Sequence, residues 1–269
     1  MRFLLWLGLV ASALGNDTGI NSGEYGPAPL GEFKGEESVI RMVEEKIEIH
    51  FGKTQSEVAC RFVFRSGKAE GDAKQVVGFP DFIDTETDTG TITKLETFIN
   101  GEKVEAKKQR GWFYTPDYET PRSGLGEPPK ELVEQDKITR ADFFTVEVVF
   151  PQGKDVIIER RYTADNGGNV MQSKTFSYTT FTGAVWKDTI GKAEFSVKLE
   201  GWTVNDLAFE DGPQKNRPRA QDGSWCSPNK AEWTVVSPTE LKMTWLDFEP
   251  AVHKTRRRIH LATWSKPAP

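Results

Sequence analysis

Apolar residues recur at every second position through much of this chain. Ala193, Phe195, Val197 and Leu199 alternate with Glu194, Ser196 and Lys198. A period of two puts one side-chain face on a core and the other in water, which predicts a β-strand. Val58, Cys60, Phe62 and Phe64 repeat the pattern within EVACRFVFR, as do Phe144, Val146, Val148 and Phe150 further on. The stretch 178–199, YTTFTGAVWKDTIGKAEFSVKL, anchors the chain. It reads as a strand, a small-residue turn at Gly183-Ala184, a buried Trp186 and a second strand. Other strands are predicted where Ile47, Ile49 and Phe51 alternate with Glu48 and His50, at QVVGFP (75–80), and at 232–237, 240–248 and 255–264. Asn100-Gly101 accepts positive φ at two successive residues, so 91–107 is expected as a hairpin with a type I′ turn. Pro151-Gln152-Gly153 predicts a second hairpin between 144–150 and 155–162. Helical spacing is limited to a short segment at 130–138.

Many strands at short spacing with so little helix predict an all-β fold, an antiparallel β-sandwich in two packed lobes. Residues 16–37, rich in Gly, Pro and Asn, are expected as an extended N-terminal arm. Residues 38–162 form the expected N-terminal lobe and 163–264 the C-terminal lobe, with TADNGGN (163–169) as the seam and 265–269 as a tail. The stretch 111–129, GWFYTPDYETPRSGLGEPP, reads as a long loop that is unusually aromatic for its polarity.

Composition adds a compartment. Of 269 residues, 37% are hydrophobic and 28% charged, enough to bury a core and too apolar for disorder. A formal net charge of -5 argues against a nucleic-acid partner, which would need a basic surface. Residues 1–15 read as a signal peptide. Arg2 supplies the positive start, FLLWLGLV (3–10) the apolar segment, and Ala11, Ala13 and Gly15 the small residues of a cleavage site. The apolar segment is too short to span a bilayer, and no later one reaches that length, so no membrane span is expected after signal cleavage. The expected location is secreted or periplasmic. In such a compartment Cys60 and Cys226 could form one disulfide, although Cys60 also fits its strand as a small buried apolar residue.

Candidate chemistry is sparse. No HExxH, paired-histidine spacing or CxxC occurs, GAVW (183–186) lacks the serine of a nucleophile elbow, and no cofactor is called for. Asp84, Glu86 and Asp88 have the one-three-five spacing of a calcium loop. The glycine comes one place late, at Gly90, and Leu95 stands where the twelfth-position acid belongs, so a solvated acidic turn fits better. Arg256, Arg257 and Arg258 would split over two strand faces, as on a solvated edge strand. Trp112, Phe113, Tyr114 and Tyr118 remain as binding candidates, since aromatics in a polar loop either fold back as a lid or form a contact surface for a sugar or a protein.

Asn16-Asp17-Thr18, VIRMVEEKIEI (39–49), VACRFVFR (58–65), VVGFPDF (76–82) and FTGAVWKDTIGKAEFSVKL (181–199) occur in this order. Together they resemble a family of exported bacterial proteins catalogued only as a domain of unknown function. The resemblance implies an extracytoplasmic, β-rich protein and no particular reaction. The expected function is a non-enzymatic binding or scaffolding module of the cell envelope, with an envelope protein or polysaccharide as partner. The alternative is a hydrolase acting on envelope polysaccharide, which would need two carboxylates at glycosidase separation in one aromatic-lined cleft.

Overall fold

The computed structural model describes residues 23–25, 28–30, 39–68, 70–82, 90–114, 122–133, 138–168, 173–210, 225–250, 256 and 258–264. The fold is all-β. In chain order its strands begin with β1 (Gly23–Tyr25), β2 (Ala28–Leu30), β3 (Ile40–Phe51), β4 (Gln55–Ser66), β5 (Ala73–Phe82) and β6 (Ile92–Ile99). Then come β7 (Glu102–Val104), β8 (Lys107–Tyr114), β9 (Arg122–Leu125), β10 (Ile138–Phe150), β11 (Asp155–Asp165) and β12 (Gly167–Gly168). The last are β13 (Lys174–Thr179), β14 (Ile190–Leu199), β15 (Thr234–Ser237), β16 (Glu240–Phe248) and β17 (Arg258–Ala262). The segment expected as a short helix at 130–138 begins with a single helical turn, α1 (Lys130–Val133).

Two sheets face each other. Sheet I runs β12-β13-β1-β5-β10-β8-β9, with β17 also on β13 and β2 also on β5. Sheet II runs β15-β16-β14-β3-β4-β11-β6-β7. Most neighbours are antiparallel, but β1 lies parallel to β13 and β14 parallel to β3. The core between the sheets takes Ile47, Val58, Phe62, Phe64, Val197 and their neighbours from sheet II and Val77, Phe79, Val146, Val148 and Phe150 from sheet I. Ring contacts cross the gap, with Phe64 against Phe150 at 5.9 Å and Phe79 against Tyr162 at 5.3 Å between centroids. Each such side chain contributes about 1.5–3 kcal/mol by leaving water. Trp186 is 4% exposed and packs on Phe64 at 4.6 Å, closing the core where a 3₁₀ turn (Phe181–Val185) leads toward β14.

Several expectations need correcting. Segments 144–150 and 155–162 do not pair as a hairpin: β10 belongs to sheet I and β11 to sheet II. Both carry an apolar face, and the turn after Phe150 carries the chain across the core, so those faces meet instead of lying side by side. The turn at 163–169 does not divide the sheets, since each takes strands from both sides of it. Residues 16–37 include β1 and β2, which add to β13 and β5 in sheet I. Phe144 is only partly buried, and its neighbour Phe143 is fully buried on the opposite face of β10 with Phe113 and Ala141. No disulfide joins Cys60 and Cys226. Both are buried thiols, and Cys226 Sγ donates to Ala262 O at 3.3 Å and accepts from its N–H at 3.2 Å.

One irregularity in β3 decides what enters the core. Met42 stands opposite Phe64 and Glu44 opposite Val63, so Val43 is an extra residue, a β-bulge. The bulge shifts the alternation, and Met42, Glu45 and Ile47 all lie buried. A glutamate is thereby placed among apolar neighbours.

Candidate functional site

The aromatic residues singled out by sequence belong mostly to the scaffold. Trp112, Phe113 and Tyr114 end β8, with exposures of 8%, 0% and 4%. The stretch expected as a loop is in this part a strand, paired with β10 on one side and β9 on the other. Trp112 stands opposite Gly124, and its ring lies so close that a Cβ there would come within 2.7 Å of it. The glycine lets the indole lie on the β9 backbone, which withdraws it from solvent. Tyr118 lies outside the described residues, as do Asp84, Glu86, Asp88 and the segment 1–22. Among the described residues no group of three or more His, Cys, Asp or Glu side chains could hold a metal ion.

The sandwich interior is more polar than its strand pattern suggested. Tyr178 on β13 donates its hydroxyl to Glu45 Oε1 at 2.8 Å, while Glu45 Oε2 has no hydrogen-bond partner. Burial pushes the Glu45 carboxyl up to about 7, against the opposing pull of the Tyr178 bond. Arg160 on β11 is fully buried. Its Nη1 donates to Thr97 Oγ1 on β6 at 2.7 Å, its guanidinium lies 5.7 Å from the Phe79 ring centre, and Nε and Nη2 have no hydrogen-bond partner. Burial holds this guanidinium down at about 9, with Cys60 nearby acting in the other direction.

Beside Arg160 the two sheets part to form a cleft of about 460 Å³. Leu95 and Thr97 of β6, Val104 of β7, Ala106 between β7 and β8, and Phe144 of β10 make its floor and walls. Lys94, Glu96, Lys103 and Glu105 stand around it, and Lys103 Nζ is paired with Glu96 Oε1 at 2.8 Å. The β6–β7 hairpin builds this edge because Asn100 and Gly101 adopt φ of 51° and 85°, as its type I′ turn requires. Two residues after β7 the chain passes into β8 of the opposite sheet, so the cleft lies where the sheets are joined. Its volume falls in the range of about 300–1,000 Å³ usual for small-molecule sites.

Two carboxylates also stand close together. Asp81 and Asp142 are direct partners across β5 and β10, a relation that sets Cβ atoms about 4.5–5.5 Å apart. Asp81 has no exposure, and its Oδ1 accepts the N–H groups of Thr91 (2.8 Å) and Ile92 (3.3 Å). Burial raises its pKa against those two bonds. Burial would raise Asp142 as well, but Lys108 (3.0 Å) and Arg110 (2.7 Å) outweigh it and hold that carboxyl below its ordinary value. One acid is sealed and fastens the start of β6, and the other is neutralised by two cations. Neither is presented to a substrate as a glycosidase pair must be. Ser177 Oγ and His260 Nδ1 lie 2.6 Å apart across β13 and β17, again buried, at 4% and 3% exposure.

Sequence reasoning missed Arg160, Thr97, Glu45 and the cleft. Arg160 gave a signal: in DVIIERRYTAD it shares the phase of Val156, Ile158, Tyr162 and Ala164, a charge in an apolar register.

No protein-family model matches the chain, and no curated protein matches it. The fold is shared with a Legionella pneumophila protein provisionally named a nutrient binding protein, at TM-score 0.64 and 16% identity over 92% of this chain and 72% of that one. An M1 zinc metallopeptidase of Deinococcus radiodurans aligns at TM-score 0.35 and 8% identity over 83% of this chain and 42% of that one, too slight a likeness to bear on fold or function.

Proposed function

We propose that this chain is an exported bacterial envelope protein of the family it resembles, acting as a binding module that seats a small ligand in the cleft beside β6 and β7. The cleft itself carries this reading: a ligand-sized space with an apolar floor and a rim of both charges, set between two sheets. The name of the Legionella protein that shares the fold supports it, since that protein is described as nutrient binding. The signal-like segment 1–15 supports export. Carbohydrate or protein partners remain compatible with a scaffolding role, but the buried Trp112 and Phe113 do not offer them an aromatic surface.

The test is retention of a small molecule. Purified protein is incubated with a bacterial metabolite extract, desalted and weighed by native mass spectrometry, alongside Ala106→Trp, which fills the cleft. A bound mass on the wild type that the variant lacks is the expected outcome. Equal retention by both would move the seat elsewhere. Export is tested separately by fractionating a bacterial host and sequencing the mature N-terminus, expected after Ala13 or Gly15.

A further inference from the structure

If the cleft is a ligand seat, as proposed above, its inner end decides which chemistry it selects. Thr97 forms part of the wall, and the residue beside it one strand further in is Arg160. On the opposite sheet the same inward step leads from Phe144, which lines the cleft, to its partner Phe79, whose ring the Arg160 guanidinium faces. The cation therefore stands directly behind the inner wall on both sheets.

Thr97 Oγ1 accepts from Arg160 Nη1, so its own proton is directed elsewhere and the hydroxyl acts as a donor. The remaining edge of the guanidinium is equally informative. Arg65 uses the same two atoms, Nε and Nη2, to grip Asp155 at 2.6 and 2.9 Å on the surface. At Arg160 no protein group bonds that edge, although the side chain is fully buried. A buried cation without a bonded carboxylate projects its field through a medium of low dielectric into the adjoining space. The Phe144 ring already carries Lys108 Nζ at 5.5 Å and Glu96 is engaged by Lys103, so at this inner end the cation–π face and that carboxylate are already taken, while Glu105 stands with Lys94 on the rim.

We propose that the cleft takes a small amphipathic carboxylate, with its apolar body on Leu95, Val104, Ala106 and Phe144 and its carboxylate at the Thr97 hydroxyl in front of Arg160. The carboxylate supplies the countercharge that the fold withholds, and the apolar body excludes water from the pair.

Hexanoate, hexanamide and hexylammonium share a chain and differ in head charge. Each is titrated into the full-length protein and followed by amide chemical shifts at the cleft. Hexanoate is expected to bind about tenfold more tightly than hexanamide, the size of one charge-assisted hydrogen bond, with hexylammonium weakest. Thr97→Val and Arg160→Met should each bring the ratio of hexanoate to hexanamide affinity toward one, and Arg160→Lys should keep part of the preference. Hexanamide-induced shifts at Leu95 and Val104 in each variant report that the apolar part of the cleft is intact. Should Arg160→Met not fold, Thr97→Val decides alone. Equal binding of all three by the wild type, with shifts in the cleft, overturns the carboxylate assignment and leaves the cleft a seat for small molecules. Cleft residues that shift with none of the three overturn the carboxylate assignment, and the extract experiment with Ala106→Trp then decides alone whether the cleft seats a ligand.

Discussion

Replacing Glu45 by Gln should flatten the dependence of stability on pH. The carboxyl is buried at 2% exposure and its pKa stands at about 7 against an ordinary 4.5. Below 4.5 the group is protonated in folded and unfolded chains alike and costs nothing. Between 4.5 and 7 the folded protein holds its proton and the unfolded chain has released it, so stability falls as pH rises through this window. Above 7 the loss is complete. The gap between 7 and 4.5 corresponds to about 3 kcal/mol, at about 1.4 kcal/mol per pH unit. Gln keeps the shape and can still accept from Tyr178, but it does not titrate. Its buried amide loses about 1–3 kcal/mol where a donor goes unmet, so the level of the curve matters less than its slope. Asp81 shifts in the same direction and is present in both proteins, so the difference between them isolates Glu45. Urea unfolding midpoints at pH 4.5, 5.5, 6.5 and 7.5, converted with a common slope, give the measurement. Parallel curves for the two proteins would show that Glu45 does not carry this proton.

Three further outcomes are expected. Trp186→Ala should lower stability by about 3–5 kcal/mol through the cavity left against Phe64, read from urea midpoints; an unchanged midpoint would make the indole peripheral. Trp112→Ala should also destabilise, by about 3–5 kcal/mol, because it uncovers Gly124, and it should leave retention of a cleft ligand unchanged in the folded fraction. Arg160→Met should stabilise by about 1–4 kcal/mol in thermal or urea melts, since an apolar chain of similar length replaces a buried cation that no carboxylate bonds; marked destabilisation would mean that the cation is compensated within the fold.

Much of the fold was legible in the chain. The strict alternation in β4, β10 and β14 and the Asn100-Gly101 turn carry their own structural meaning, because each depends on a local rule of side-chain direction or backbone φ. β8 was not legible. Its first four residues, Lys107 to Arg110, are exposed and its last four are buried on both faces, so KKQRGWFY shows no period of two. Glu45 escaped notice because the bulge at Val43 changes phase within the strand, and no residue type announces a bulge. The cleft could not be seen at all: Thr97, Val104, Arg160 and Phe144 come together only once β10 and β11 are assigned to different sheets. Which sheet a strand joins is set by distant partners, and an apolar face does not say which other apolar face it meets.

The parallel pairing of β3 with β14 bears on the order in which the molecule can form. Arg41 bonds Thr189, 148 positions away, and Glu44 through Phe51 wait for Lys192 through Leu199. As the chain emerges from its N-terminus, β3 and β4 can close into a hairpin at once, yet the outer edge of β3 stays open until β14 (Ile190–Leu199) has been made, more than half the chain later. Such distant closure makes folding slow and leaves an unpaired edge available to other chains. A cell making this protein must therefore keep the growing chain apart from its copies until β14 arrives, and a fragment cut short before Ile190 is the species that should aggregate.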